Sequence, residues 1–108
     1  MNILVTGGAG NIGSSLIKKL AENSENHIVV VDNLLTGFKY KIPVKENIIF
    51  IKCNVNNYND ISAVFHSFKF DTVFHLAAVV GVQRTLENPL WVLEDIKGFE
   101  NILNLSKN

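Results

Sequence analysis

The sequence predicts an α/β fold of three layers. A parallel sheet in the strand order 3-2-1-4 carries helices on both faces. Three observations predict it. Apolar runs alternate with helical patterns along the whole chain. The runs are short and rich in Val, Ile and Phe, as parallel strands buried on both faces are. The first run leads into a glycine-rich turn and an amphipathic segment, which puts the switch point of the sheet after the first strand. Consecutive βαβ units then require right-handed crossovers.

The elements follow in order. Asn2–Thr6 is the first strand, and the glycine run Gly7-Gly8-Ala9-Gly10-Asn11-Ile12-Gly13 follows it. The helix after it carries Ile12, Leu16, Ile17 and Leu20 as its apolar stripe. His27–Asp32 is the second strand. Residues 36 to 47 form a surface loop, with Gly37, Pro43 and four charged residues, and have room for a short helix. Ile48–Lys52 is the third strand. A second helix carries Ile61, Val64, Phe65 and Phe68, and Thr72–Leu76 is the fourth strand. The last helix runs from about Pro89 to Ser106, with Asn88 as N-cap and Pro89 in the first turn.

Composition narrows the function classes. The 108 residues suit one small domain, expected to span 1–108 without repeats or a low-complexity linker. Hydrophobic residues make up 47% and formal net charge is zero, which favours a packed core over an electrostatic nucleic-acid binder. Arg84 is the only arginine, and the lysines are dispersed. No apolar run is long enough to cross a bilayer. The first strand is expected to open next to Met1, so no signal peptide is expected. Cys53 is the only cysteine, so no internal disulfide and no thiolate metal cluster is expected. It follows an apolar run and reads as a buried, inert thiol. No metal site is expected, and a cytoplasmic location fits these features.

The glycine run carries the functional signal. Strand, glycine turn, helix, strand and acid are the order of a dinucleotide site. Gly7 allows the tight turn, Gly10 lets backbone approach a pyrophosphate, and Gly13 lets the helix pack close to the strand. The helix N-terminus offers N–H groups to the phosphates. Asp32 ends the second strand about 20 residues on, where an acid takes the ribose hydroxyls. The alternative is a structural βα turn with a solvated Asp32.

Further segments stand at telling places: Asp32-Asn33-Leu34 with Gly37, Asn54-Val55, and His75-Leu76-Ala77-Ala78. Val82, Thr85 and Pro89 come next, and residues 95–103 read Asp-Ile-Lys-Gly-Phe-Glu-Asn-Ile-Leu. Together, over essentially the whole chain, they resemble the N-terminal half of the extended short-chain dehydrogenase/reductase family. The chain looks most like its NAD-dependent nucleotide-sugar epimerases and dehydratases. The resemblance implies a Rossmann-type half domain. Its T-G-x-x-G-x-x-G fingerprint falls on Thr6, Gly7, Gly10 and Gly13, with Asn11 and Ile12 offering backbone N–H groups to the pyrophosphate. Asp32, Asn33, Leu34 and Gly37 would surround the adenosine ribose, although Asn33 also suits a plain turn. A 2′-phosphate would meet the Asp32 carboxylate with no arginine beside it, so NAD is the expected cofactor rather than NADP.

The family has an aspartate after the third strand to accept from the adenine amino group, and this chain has Asn54. Its amide oxygen can accept without charge assistance, and the Val55 N–H could also serve adenine. An Asx turn or helix cap is the other reading of Asn54. Leu76, Ala77 and Ala78 would line the cofactor behind the fourth strand, with His75 packed and hydrogen-bonded rather than catalytic. Thr85 stands where the family has serine. Residues 81–84 and Gly98-Phe99 resemble sugar-nucleotide 4-epimerases in particular. Arg84 is either solvated near Glu87 or a contact to substrate phosphates. Asp95 replaces an asparagine that, in the family, braces the central helix against backbone.

The family's proton chemistry uses a tyrosine four residues before a lysine, plus a serine or threonine on a preceding strand. Four residues after Tyr40 comes Val44, and four after Tyr58 comes Ser62. No catalytic residue is therefore assigned in this chain. The resemblance implies a truncated segment without the substrate domain, binding NAD within an enzyme whose substrate is a nucleotide sugar. The alternatives are a non-catalytic dinucleotide-binding or regulatory module, and a fold that binds nothing tightly. The fourth strand, with Val73 and Phe74, is expected to leave an open sheet edge. The last helix is apolar beyond one stripe, and the family's equivalent forms a dimeric helix bundle. A homodimer is expected, against a monomer in which Trp91 and Phe99 fold back onto the sheet.

Overall fold

The computed structural model describes residues 1–34, 38–77 and 89–107, and of residues 89 and 91–95 the backbone alone. The expectations placed on Gly37, Ala78, Gly81, Val82, Gln83, Arg84, Thr85 and Asn88 lie outside the described residues. So do those on the side chains of Trp91, Val92, Leu93 and Asp95.

The chain order is β1 (Asn2–Thr6), α1 (Asn11–Ala21), β2 (His27–Asp32), a 3-10 turn (Lys39–Lys41), β3 (Ile48–Lys52), α2 (Tyr58–Ser67), β4 (Thr72–His75) and α3 (Pro89–Leu105). The four strands form one sheet in the order β3-β2-β1-β4, and every pairing is parallel. This is the predicted fold class and topology.

Alternation within the apolar runs makes the two cores. Ile3 and Val5 of β1, with Ile28 and Val30 of β2, pack under Ala9, Ile17 and Ala21 on one face. Leu4, Val29 and Val31 face the other way, onto Ile61 and Val64 of α2 and Ile102 of α3. Side chains of successive strand residues point to opposite faces, so a continuous apolar run feeds both layers.

Several details differ from the sequence reading. Ile12 is 76% exposed, although the periodicity put it on the buried stripe. α1 instead buries Gly13, Ser14, Ile17 and Ala21. A Cβ on Gly13 would strike the Gly7 carbonyl oxygen, so this close approach sets the rotation of the helix. Phe68 lies beyond α2 as its C-cap. β4 stops at His75 rather than Leu76. The short helix anticipated in the 36–47 loop is the single 3-10 turn. No helix among the described residues is long and apolar enough to cross a membrane.

Candidate functional site

Parallel strands deliver their C-terminal ends to one edge of the sheet, and the connection after β1 turns there into α1. Gly7 adopts φ 73°, and its N–H donates to the Val31 carbonyl at 2.8 Å. A Cβ on Gly7 would lie 2.7 Å from the Leu76 carbonyl and the Ala77 nitrogen. Only glycine therefore fits, by conformation and by space. The same contact brings Leu76 and Ala77, expected as site lining, against the glycine turn. A Cβ on Gly10 would meet nothing closer than the Gly7 oxygen at 3.5 Å. Its outer side is open, as a group approached by a ligand must be.

α1 starts without a side-chain cap. Gly10 is its N-cap, and no acidic residue lies in its first turn. The first backbone bond into the helix is Ser14 N–H to the Gly10 carbonyl at 2.9 Å. The N–H groups of Asn11, Ile12 and Gly13 precede it, at the positive end of the helix dipole. Asn11 and Ile12 are exposed and Gly13 is buried.

Asp32 sits behind the turn, 8% exposed. One carboxylate oxygen accepts the Ala9 N–H at 2.9 Å, and the other accepts the Leu34 N–H at 2.7 Å. The second bond closes an Asx turn in which Leu34 takes φ 63°, a conformation rare without glycine. Asp32 is thus neither solvated nor idle, because it shapes the turn that it was expected to serve. Asn33 is exposed beside it.

After β3, the Cys53 N–H donates to the Asp32 carbonyl at 3.1 Å and carries the chain to the same edge. Asn54 is exposed, and its Oδ1 accepts the Asn56 N–H at 3.0 Å, the Asx turn considered from sequence. The Val55 side chain is buried. Its carbonyl accepts from Asn101 Nδ2 at 2.9 Å. Asn101 therefore braces α3 against backbone, a role that the motif at residues 95–103 did not reveal.

Two sets of contacts, at Thr6 and at Lys41, escaped the sequence reading. Thr6 Oγ1 accepts the N–H groups of Leu76 and Ala77 at 3.0 and 3.2 Å. Its position in the fingerprint was the available signal. Lys41 Nζ reaches Asn11 Oδ1 at 2.5 Å, and nothing in the sequence signalled that contact. Tyr40 and Tyr58 are both exposed, the first on the 3-10 turn and the second opening α2.

The family model for the NAD-dependent epimerase/dehydratase family matches residues 3–108. This chain belongs to that family. Among curated relatives, Protein CapI of Staphylococcus aureus is 39% identical over 116 residues, covering 100% of this chain and 34% of its own length. UDP-glucose 4-epimerase of Lacticaseibacillus casei is 35% identical, covering 91% of this chain and 29% of its own. The solved structure of UDP-glucose 4-epimerase from Thermus thermophilus, in complex with NAD, superposes with a TM-score of 0.87 at 31% identity. It covers 97% of this chain and 33% of that one. The chain thus spans about a third of the length of the relatives it matches.

Proposed function

We propose that this chain is the dinucleotide-binding domain, residues 1–108, of a nucleotide-sugar epimerase or dehydratase, and that it holds the adenosine and pyrophosphate of NAD. The observation that carries the reading is the uncapped N-terminus of α1, set beside Gly10 and in front of Asp32 at one edge of the sheet. The N–H groups of Asn11, Ile12 and Gly13 suit a pyrophosphate. A carboxylate has about four acceptor sites, and Asp32 uses two on backbone, which leaves two for the ribose hydroxyls. Asn54 Oδ1 keeps one lone pair for adenine beside the Val55 N–H. Leu76 and Ala77 would line the opposite side. Bound NAD supplies hydride transfer to such enzymes, while this chain's residues bind and orient.

Within the whole enzyme the substrate would be a nucleotide sugar. Tyr40 and Tyr58 lack a lysine four residues on. The alternative reading is a non-catalytic dinucleotide-binding or regulatory module. Under both readings the location is the cytoplasm, supported by the lone cysteine. Both also include a homodimer, supported by Ile96, Phe99 and Leu103, which are exposed at helical spacing on one face of α3.

Calorimetric titration with NAD and NADP tests the cofactor assignment. NAD should bind, and NADP about tenfold or more weaker, because its 2′-phosphate meets the Asp32 carboxylate. Asp32→Asn should erase that preference. Equal affinities in the unmutated chain would defeat the ribose assignment. Turnover of a UDP-sugar by the purified chain, abolished by Tyr40→Phe or Tyr58→Phe, would overturn the absence of catalytic residues.

A further inference from the structure

We propose that Lys41 supplies the positive charge that completes the pyrophosphate site at the N-terminus of α1. The inference rests on reading the glycine turn as a dinucleotide site, and it adds a residue from a separate loop. That loop is pinned at two points. The Phe38 N–H donates to the Ala9 carbonyl at 3.0 Å, which ties the loop to the glycine turn. Ile42, next after the 3-10 turn, is buried in the core under α1. Between these anchors the Lys41 N–H donates to the Phe38 carbonyl at 3.0 Å. The backbone of Lys41 is therefore held, not merely near.

The side chain is steered as well. Its ammonium lies 5.5 Å from the centroid of the Phe38 ring and bonds Asn11 Oδ1. Asn11 is the first residue of α1. Lys39, two residues earlier, points elsewhere: its ammonium lies 5.6 Å from the centroid of the Phe50 ring on β3.

A cation in this place is electrostatically wrong for the protein alone. Helix N-termini carry a positive partial charge and disfavour Lys. Among the described residues no carboxylate pairs with it, and the ion pair there is Lys19 with Glu22. Its contact with the Asn11 amide oxygen is exposed, so the ammonium can donate further N–H groups to a ligand. An anion bound at the N–H groups of Asn11 and Ile12 would face both the helix dipole and the ammonium. A pyrophosphate, with two negative charges, answers both.

Titration calorimetry with ADP, NAD and NADP, at low and high salt, tests the assignment. Lys41→Met should weaken ADP and NAD alike, by about tenfold, the scale of one charge-assisted hydrogen bond. It should also flatten the salt dependence. Lys41→Arg should retain most of the affinity, and Lys39→Met, which removes the same net charge, should bind as the unmutated chain does. The ammonium lies outside the core, so circular dichroism should show Lys41→Met folded. Unchanged ADP affinity in Lys41→Met would overturn the role of Lys41 and leave the dinucleotide reading standing. An equal loss in Lys39→Met would reduce the effect to net charge and overturn it too. A loss confined to NADP would move the lysine to the ribose 2′-phosphate, against the proposal. No binding of ADP or NAD by the unmutated chain would overturn the site itself.

Discussion

The hydroxyl of Thr6 and the ring of His75 meet at 2.7 Å, Oγ1 to Nδ1, across the β1–β4 pair. Thr6 Oγ1 already accepts two backbone N–H groups, from Leu76 and Ala77. A hydroxyl has two acceptor sites and one proton. The hydroxyl is shared among these three partners. One fully buried side chain thus latches the end of β4 to the strand that feeds the glycine turn.

Removing that hydroxyl should cost stability. Thr6→Val keeps the shape but takes a hydrogen-bond partner from Ala77 and from His75, while the Leu76 N–H keeps the Thr6 carbonyl at 3.0 Å. A loss of about 1–2 kcal/mol is expected, read as a lower urea midpoint with an unchanged slope. Thr6→Ser should recover most of it.

The two glycines flanking the start of α1 should separate stability from binding. A Cβ on Gly13 would strike the Gly7 carbonyl and lie 2.8 Å from Gly8 Cα, so Gly13→Ala should destabilise the fold by about 2 kcal/mol or more. Gly10→Ala meets open space, in a backbone conformation that alanine accepts. It should leave stability within about 1 kcal/mol and weaken NAD binding by about tenfold or more, because the new methyl occupies the approach to the N–H groups. Thermal melts and calorimetry on the same samples read both effects.

Cys53 gives the pH dependence a sign. Burial, with the negative charge of Asp60 second, pushes its thiol from 9.0 up to about 11. The folded chain therefore keeps the proton to higher pH than the unfolded chain. That contribution is complete below about pH 9 and is lost as pH climbs through about 11, on the order of 2 kcal/mol in all. Urea titrations at pH 8, 9.5 and 11 should show the decline, and Cys53→Ala should flatten it. At pH 8 a thiol reagent should react at a rate limited by opening of the structure.

The exposed stripe of α3 should govern self-association. Ile96, Phe99 and Leu103 are 62%, 53% and 53% exposed. Phe99 also touches the His75 ring, with centroids 5.9 Å apart. Sedimentation at micromolar concentration should show a dimer, and Ile96→Glu with Leu103→Glu should return it to monomer with the fold intact. A monomer in the unmutated chain would refute the interface.

Much of this was legible in the residues. Alternation inside the runs Ile3–Thr6 and Ile28–Asp32 specified two buried faces, and the glycine spacing placed the turn and the helix start. Those signals are local, because strand and helix periods are properties of consecutive residues. Ile12 shows where local signals stop. Its spacing from Leu16 put it on the apolar stripe, but the rotation of α1 is set by how closely Gly13 approaches Gly7.

Sequence alone determined the α/β class, the 3-2-1-4 order, the glycine turn and the acid that ends β2. Tertiary structure decided which distant side chains complete the edge. Thr6 and His75 are 69 positions apart, Asn101 and Val55 are 46 apart, and Lys41 and Asn11 are 30 apart. No period links such pairs. Their meeting depends on the paths of the intervening chain and on the backbone groups those paths leave to be satisfied, and these exist only once the sheet has assembled.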